Sequence, residues 1–427
     1  MAVHLAWPES YLTGKKSKIV SNDFAARATL AAGLDKFIFT KRFTGAKWVP
    51  HYTSDILESR KEEEMRTVSS KLLADVLESL IGASYVVGGF DKAFVCVRTL
   101  LPLENWTPIP AAISTLFNAT STDVSINNLS TVESLVGYTF KKKIILLDSL
   151  THGSYIGPLA NCSYERLEVL GDAVLDLIIS KRLFAHTPKL SQHKMHGIRT
   201  SMVNAAFLTF RMFETTLQEE QTNPGTLQKE THHRCLWQFL RAGWMLVEAR
   251  DVAIRRHKEA REQILVALGE DRRFPWHLFA LNDAPKFLSD IVESVVGAIY
   301  IDSQGDIPSC EIFLRKLGIL DCLQRILDED VDCLHPKERL GHLAVQRDVQ
   351  YVRVGDAPGE ETNSDVHGKS THRIQVEVGG EKVGGVVEGL KRLNAETRAA
   401  YEAVSILEGE RAGGIKVAFC LLEETHA

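Results

Sequence analysis

The chain has 427 residues, 44% hydrophobic and 25% charged, which is enough for two or three domains with separate cores and ordinary for a soluble fold. A formal net charge of −5 excludes a surface that is basic throughout, so any nucleic-acid site must come from local Lys/Arg clusters or from metal ions. Seven cysteines, scattered and never spaced C-x-x-C, argue against a disulfide framework and a zinc site; free thiols in an intracellular compartment, cytoplasm or nucleus, are expected.

The first residues, MAVHLAWPESYLTGKK, lack a basic region followed by an apolar one, and no segment approaches 18 uninterrupted apolar residues. Neither a leader nor a membrane partner is expected. The stretch 71–85, KLLADVLESLIGASY, reads as an apolar helix carrying Asp75 and Glu78 three residues apart. Residues 108–130, rich in Pro, Ser, Thr and Asn, read as a linker. The run Lys141, Lys142, Lys143 is either a phosphate contact or a solvated face.

Residues 165–176 read ERLEVLGDAVLD, with Glu165, Glu168, Asp172 and Asp176 set in an apolar run at steps of three, four and four. On a helix those steps make one narrow acidic stripe, with apolar residues over most of the rest. Gly171 removes a side chain where a backbone or a substrate strand can come close. A charged segment of helical period, LVEARDVAIRRHKEAREQIL, lies inside an interruption at about 214–283 and predicts an inserted helix. Trp237, Trp244 and Trp276 there read as core anchors. His152 and the pairs His193/His196 and His232/His233 lack the companions of a metal motif and read as structural or solvent histidines.

A second apolar helix, KFLSDIVESVVGAIY at 286–300, carries Asp290 and Glu293 on one face. Buried carboxylates without partners are expensive and tend to take up protons, so two acid-bearing helices call for something cationic between them. A hard divalent ion fits: Mg²⁺, with Mn²⁺ as a substitute, prefers carboxylate and water oxygens, and Glu168, Asp172, Asp290 and Glu293 would form an all-oxygen cage. Such a cage suits phosphoryl chemistry.

Beyond residue 330 the pattern becomes helix (HPKERLGHLAVQ), strands (QYVRVG, HRIQVEVGG, VGGVVEG) and helix (LNAETRAAYEAVSILEGE), an α-β-β-β-α order with a polar loop after the first strand. This predicts a small separate domain at 330–410.

The chain also repeats itself. Residues 71–85 align without gaps on 286–300 with eight of fifteen positions identical, Gly82 and Gly297 among them. A weaker echo joins 17–30 to 200–210 through Asn22 and Asn204, and at that offset the first copy's acidic stripe would fall before Met1. The first copy, 1–107, is therefore expected to be incomplete, and the second to span 131–325.

These residues carry a resemblance. ERLEVLGDAVLD is similar to the signature of ribonuclease III, LSDIVESVVGAIYID to its second acidic motif, and THGSY at 151–155 to the segment before the signature. Two such units followed by a double-stranded-RNA-binding module resemble the C-terminal part of a Dicer; the long insertion and GLDKFIFTKRFTGAKW at 33–48 look most like fungal Dicer-like proteins of the antiviral type.

The resemblance implies a mainly α fold of two tandem ribonuclease III units, the first incomplete, paired as an intramolecular pseudo-dimer or through a homodimer. It implies a Mg²⁺-dependent endoribonuclease that cuts double-stranded RNA to 5′-phosphate and 3′-hydroxyl ends, as in RNA silencing. Glu168, Asp172, Asp290 and Glu293 would be the metal ligands and catalytic residues, Glu165 a supporting residue and Asp176 structural. Asp75 and Glu78, without their mates, are weak first-unit candidates. Lys391 and Arg392, with Arg398 and Lys369, are the candidate RNA contacts of the last module, diluted by Glu388 and Glu396. The helicase, platform and end-binding regions of a full Dicer have no counterpart, so the chain reads as a fragment or truncated product. Two alternatives stay open: a catalytically impaired double-stranded-RNA-binding fragment, and a different metal-dependent phosphohydrolase.

Overall fold

In the computed structural model of this chain the described residues are 7–38, 69–120, 129–157, 163–222, 225, 228–345, 347–355 and 371–423. Lys369, most of the polar loop before it and residues 39–48 lie outside them. The fold is mainly helical and divides into two compact units, Met1–Ser121 and Thr122–Ala427.

In the first unit, α1 (Glu9–Ile19) and α2 (Asn22–Ala31) lead through a 3₁₀ turn to the long α3 (Ser70–Leu100). Ser21 and Ser69 cap α2 and α3 by accepting the Phe24 and Leu72 amides, the usual use of serine at a helix start. Thr29 of α2 donates to the Leu73 carbonyl at 2.8 Å, and Ala25, Ala74, Leu77 and Leu101 form a small core. Gly88 and Gly89 kink α3, Gly89 at φ +63°. Residues 109–119, inside the stretch read as linker, form helix α4 (Ile109–Ala119); Pro108 and Pro110 start it, and Ile113 is buried.

The second unit is built on α5 (Ser130–Val136), α6 (Lys143–Ser149), α7 (Glu165–Ala185), α8 (Gln192–Met202) and α9 (Ala205–Glu214). The interruption then contributes an antiparallel hairpin, β1 (Thr216–Thr222) on β2 (Lys229–Cys235), ahead of the expected helix α10 (Trp244–Glu270). Glu214 takes His257 and Arg261 of α10 at 2.8–2.9 Å, which fastens the insertion to the end of α9. Trp276 is in the core, its indole N–H on the Cys333 carbonyl at 3.2 Å. Trp244 is not: it is 79% exposed, because it opens α10 before the stripe of Ala253, His257, Ala260, Ile264 and Ala267 that faces inward.

After α11 (Trp276–Asn282) comes the central helix α12 (Lys286–Asp302), in which every residue from Phe287 to Asp302 except Glu293 is buried. It crosses α7 at two glycines, where a Cβ on Gly171 would fall 1.7 Å from the Glu293 carbonyl oxygen and one on Gly297 would fall 2.2 Å from that of Leu167. At the end of α12, buried Asp302 accepts the Tyr138 hydroxyl at 2.9 Å and the backbone amides of Lys141 and Lys142 at 2.8 and 2.9 Å. The lysine run is thus anchored through its backbone, and Lys143 pairs with Glu133.

Helices α13 (Ile307–Lys316) and α14 (Ile319–Asp328) complete the bundle. The C-terminal region is α15 (Pro336–Ala344), an antiparallel sheet in the order β3 (Val349–Arg353), β4 (His372–Val378), β5 (Glu381–Gly389), and α16 (Arg392–Glu423). Leu340, Ile374, Val376, Ala399, Ala403 and Val404 are part of its own core. It nevertheless packs into the same compact unit as the helices before it.

By length and mean hydropathy, 1.5 over its best window, α3 is the one helix among the described residues that is long and apolar enough to cross a membrane. Its sequence repeats α12, a core helix, and the apolarity is that of a core helix with little packed on it: the same window is 6% buried.

Candidate active site

The N-terminal halves of α7 and α12 bring the acids together. Carboxylate oxygens of Glu168, Asp290 and Glu293 lie within 4.8 Å of one another. Asp172, one turn after Glu168, does not join that group but raises the charge density at Glu293. Glu165 turns one oxygen to the Gly153 amide at 3.0 Å, tying the helix start to the THGSY segment, and its other oxygen is buried without a hydrogen-bond partner. Asp176 pairs with Arg199 of α8 at 3.1 Å, a structural contact.

Lys286 was not singled out by sequence reasoning, although it stands four residues before Asp290, the spacing of a helical ion pair. Its ammonium lies 2.5 Å from Glu168 and 2.6 Å from Asp290, bridging the two helices. The electrostatics follow from this crowding. Burial, followed by the charges of Asp172 and Asp290, pushes the Glu293 carboxyl up to about 8. Burial also raises Asp290, against the lowering influence of Lys286. For Lys286 itself burial disfavours the ammonium, but the bonds from Asp290 and Glu168 outweigh it and the pKa rises.

An orphaned buried oxygen on Glu165, three converging carboxylates and a carboxyl driven toward protonation fit a hard divalent cation held by oxygen. Histidine or cysteine ligands are not in that group.

The first unit presents a different picture. Asp75 and Glu78 stand at the positions of Asp290 and Glu293, yet Glu78 is exposed and Asp75 pairs with Lys71 at 3.5 Å, on side chains 48% and 71% exposed. Gly82, the counterpart of Gly297, has nothing within 4 Å of where a Cβ would sit. Among the described residues no helix like α7 covers α3. The double variant Asp75→Ala, Glu78→Ala is therefore expected to leave cleavage of duplex RNA by the chain within about twofold of native, because changes to exposed, loosely paired side chains cost little; a gel assay of labelled duplex checks it, and a large loss would place the first unit in the chemistry.

In the C-terminal region the candidate RNA contacts are engaged. Lys391 lies 3.0 Å from Asp283, Arg392 donates to Glu396 at 2.7 Å, and Arg398 donates to the Glu388 carbonyl at 2.7 Å.

Comparison with known proteins agrees with this architecture. Residues 3–89 and 165–304 match the ribonuclease III domain, and residues 329–419 match the double-stranded-RNA-binding domain of Dicer-like protein 2. The chain is 58% identical over 418 residues to Dicer-like protein 2 of Phaeosphaeria nodorum, covering 98% of this chain and 30% of that protein. It is 42% identical over 422 residues to Dicer-like protein 2 of Coccidioides immitis, covering 95% of this chain and 28% of that one. It thus spans less than a third of the length of these relatives. The solved nuclease domain of ribonuclease III from Campylobacter jejuni aligns to 46% of this chain and 96% of its own at 22% identity, with a TM-score of 0.26.

Proposed function

The chain belongs to the ribonuclease III family, and on that premise we propose that its second unit is an endoribonuclease that hydrolyses double-stranded RNA with Mg²⁺ held by Glu168, Asp290 and Glu293, with Asp172, one turn after Glu168, as the fourth candidate ligand. The observation that carries the reading is the convergence of carboxylates from two helices 122 residues apart in sequence, Glu168 and Asp290, onto one point. When bound, the ion would lower the pKa of water, polarise the scissile phosphate and stabilise the leaving oxygen.

The protein's own groups prepare that site. The close crossing at Gly171 and Gly297 fixes the spacing of the two carboxylate-bearing turns. Lys286 holds Glu168 and Asp290 in a common orientation and would offer positive charge to an RNA phosphate bound there. Glu165 fixes the Gly153 backbone at the rim. The products would carry 5′-phosphate and 3′-hydroxyl ends. One competent site nicks one strand; a double cut needs a pseudo-dimer with a complete first unit or a homodimer of second units. Lys391 and Arg392 would add contacts to the RNA backbone. We place the protein in the cytoplasm or nucleus, and take 1–107, 131–325 and 330–410 as its functional divisions.

The test is to incubate the full chain with end-labelled duplex RNA in Mg²⁺, in Mn²⁺ and in EDTA. Cutting in either metal and none in EDTA is expected. Binding without metal-dependent cutting would assign the chain instead to RNA binding alone, and turnover of a chromogenic phosphate monoester with indifference to duplex RNA would assign it to another phosphohydrolase class.

A further inference from the structure

The end of α16 that should meet RNA faces the nuclease helices instead. Lys391, just before the first residue of α16, puts its ammonium 3.0 Å from the Asp283 carboxylate and 3.2 Å from the Ala284 carbonyl oxygen. Asn394, in the first turn, donates from Nδ2 to Asp283 Oδ1 at 2.5 Å, and Arg256 of α10 stands 3.8 Å from the other oxygen. The Asp283 side chain is only 8% exposed. Further along α16, Tyr401 stacks on His277 of α11, with ring centroids 3.6 Å apart and planes 8° from parallel, and Glu408 takes both guanidinium nitrogens of Arg273 at 2.8 and 3.0 Å.

A carboxylate at the start of a long helix, beside a lysine and an amide donor, stands where an anion is favoured by the helix dipole and the unpaired amides. The neighbouring basic groups are also occupied within the chain: Lys337 and Arg392 share Glu396, and Arg339 pairs with Asp332. We propose that Asp283 acts as an internal phosphate mimic that latches the C-terminal domain onto the nuclease helices, so that duplex RNA and Asp283 compete for Lys391. The inference rests on duplex RNA being the ligand. It also ties the C-terminal domain to the candidate active site, because Ala284, which receives Lys391, is two residues before Lys286 at the start of α12.

The test uses the full chain in EDTA, where binding is read without cutting, and a labelled RNA duplex longer than the roughly 16 base pairs one such domain spans. Asp283 sits at φ +42°, a conformation asparagine adopts readily, so Asp283→Asn removes the charge with little backbone strain. It is expected to bind duplex about three- to fivefold more tightly than native, the scale of one partly exposed ion pair. Lys391→Met should weaken binding more in the Asp283→Asn background than in the native chain, where it loses a phosphate contact but also opens the latch. Tyr401→Ala, which leaves every charge in place, should tighten binding in the same direction. Added duplex should also speed amide hydrogen exchange in α11 of the native chain.

Unchanged affinity in both Asp283→Asn and Tyr401→Ala, equal effects of Lys391→Met in the two backgrounds, or no duplex binding by any variant overturns the latch. Failure to cut in Mg²⁺ with these binding shifts intact would remove the nuclease reading and leave the latch standing.

Discussion

Replacing Glu293 by Gln is expected to reduce Mg²⁺-dependent cleavage of duplex RNA by about a thousandfold or more, since it takes away one carboxylate of the cation site. The same change is expected to stabilise the metal-free protein at pH 8. Burial and the neighbouring acids raise the Glu293 carboxyl from an ordinary 4.5 to about 8, so between those values the folded chain keeps a proton that the unfolded chain has lost. Stability therefore falls as pH rises through that window and levels off above it. Glutamine cannot ionise and escapes the loss, so the gap between variant and native should open from pH 5 to pH 8 and reach about 4 kcal/mol. Melting curves of both proteins in EDTA at several pH values measure it. Parallel curves would show that Glu293 ionises normally and that the acids are not crowded. Mg²⁺ should then raise the melting temperature of the native chain at pH 8, and much less that of Glu293→Gln.

That experiment probes a site whose acids were legible in the sequence, because helical spacing determines which residues share a face. The stripe from Glu165 to Asp176 and the pair Asp290 and Glu293 could be placed on two helices from periodicity alone. The α-β-β-β-α order at the end could be read likewise, since β4 alternates Ile374, Val376 and Val378 toward the core. What escaped was set by contacts between distant parts of the chain. Lys286 bridges to Glu168 across 118 residues, and Lys391 meets Asp283, so neither pairing has a local signature. The hairpin in the insertion escaped because TLQEEQT and KETHHRC have no apolar alternation; its strands hold each other with little apolar surface to bury. Helix α4 escaped because the Ser, Thr and Asn after it dominate the composition of its segment, while IPAAISTLFNA itself has a proline start and apolar spacing.

The largest loss of stability is expected from one methyl group at the helix crossing. A Cβ on Gly171 would stand 1.7 Å from the Glu293 carbonyl oxygen and 2.8 Å from the Gly297 amide nitrogen, both backbone atoms of a buried helix that cannot turn aside as a side chain would. Gly171→Ala must therefore push α7 and α12 apart, which breaks the packing of the central helix and separates Glu168 from Asp290 and Glu293. A cost above about 4 kcal/mol is expected, at the far end of what single substitutions do, with loss of the cooperative unfolding transition of the second unit and of cleavage together. Gly297→Ala, 2.2 Å from the Leu167 carbonyl oxygen, should behave alike. The repeat supplies the control: Gly82 occupies the matching position of α3 with open space around it, so Gly82→Ala should be neutral or stabilise by up to about 1 kcal/mol, the helix-propensity gain of alanine over glycine. Urea unfolding followed by far-ultraviolet circular dichroism compares the three variants. If Gly82→Ala proved as damaging as Gly171→Ala, another helix must be seated on α3 in solution, and the first unit would have to be treated as a partnered half-site, not as an exposed copy of the core helix.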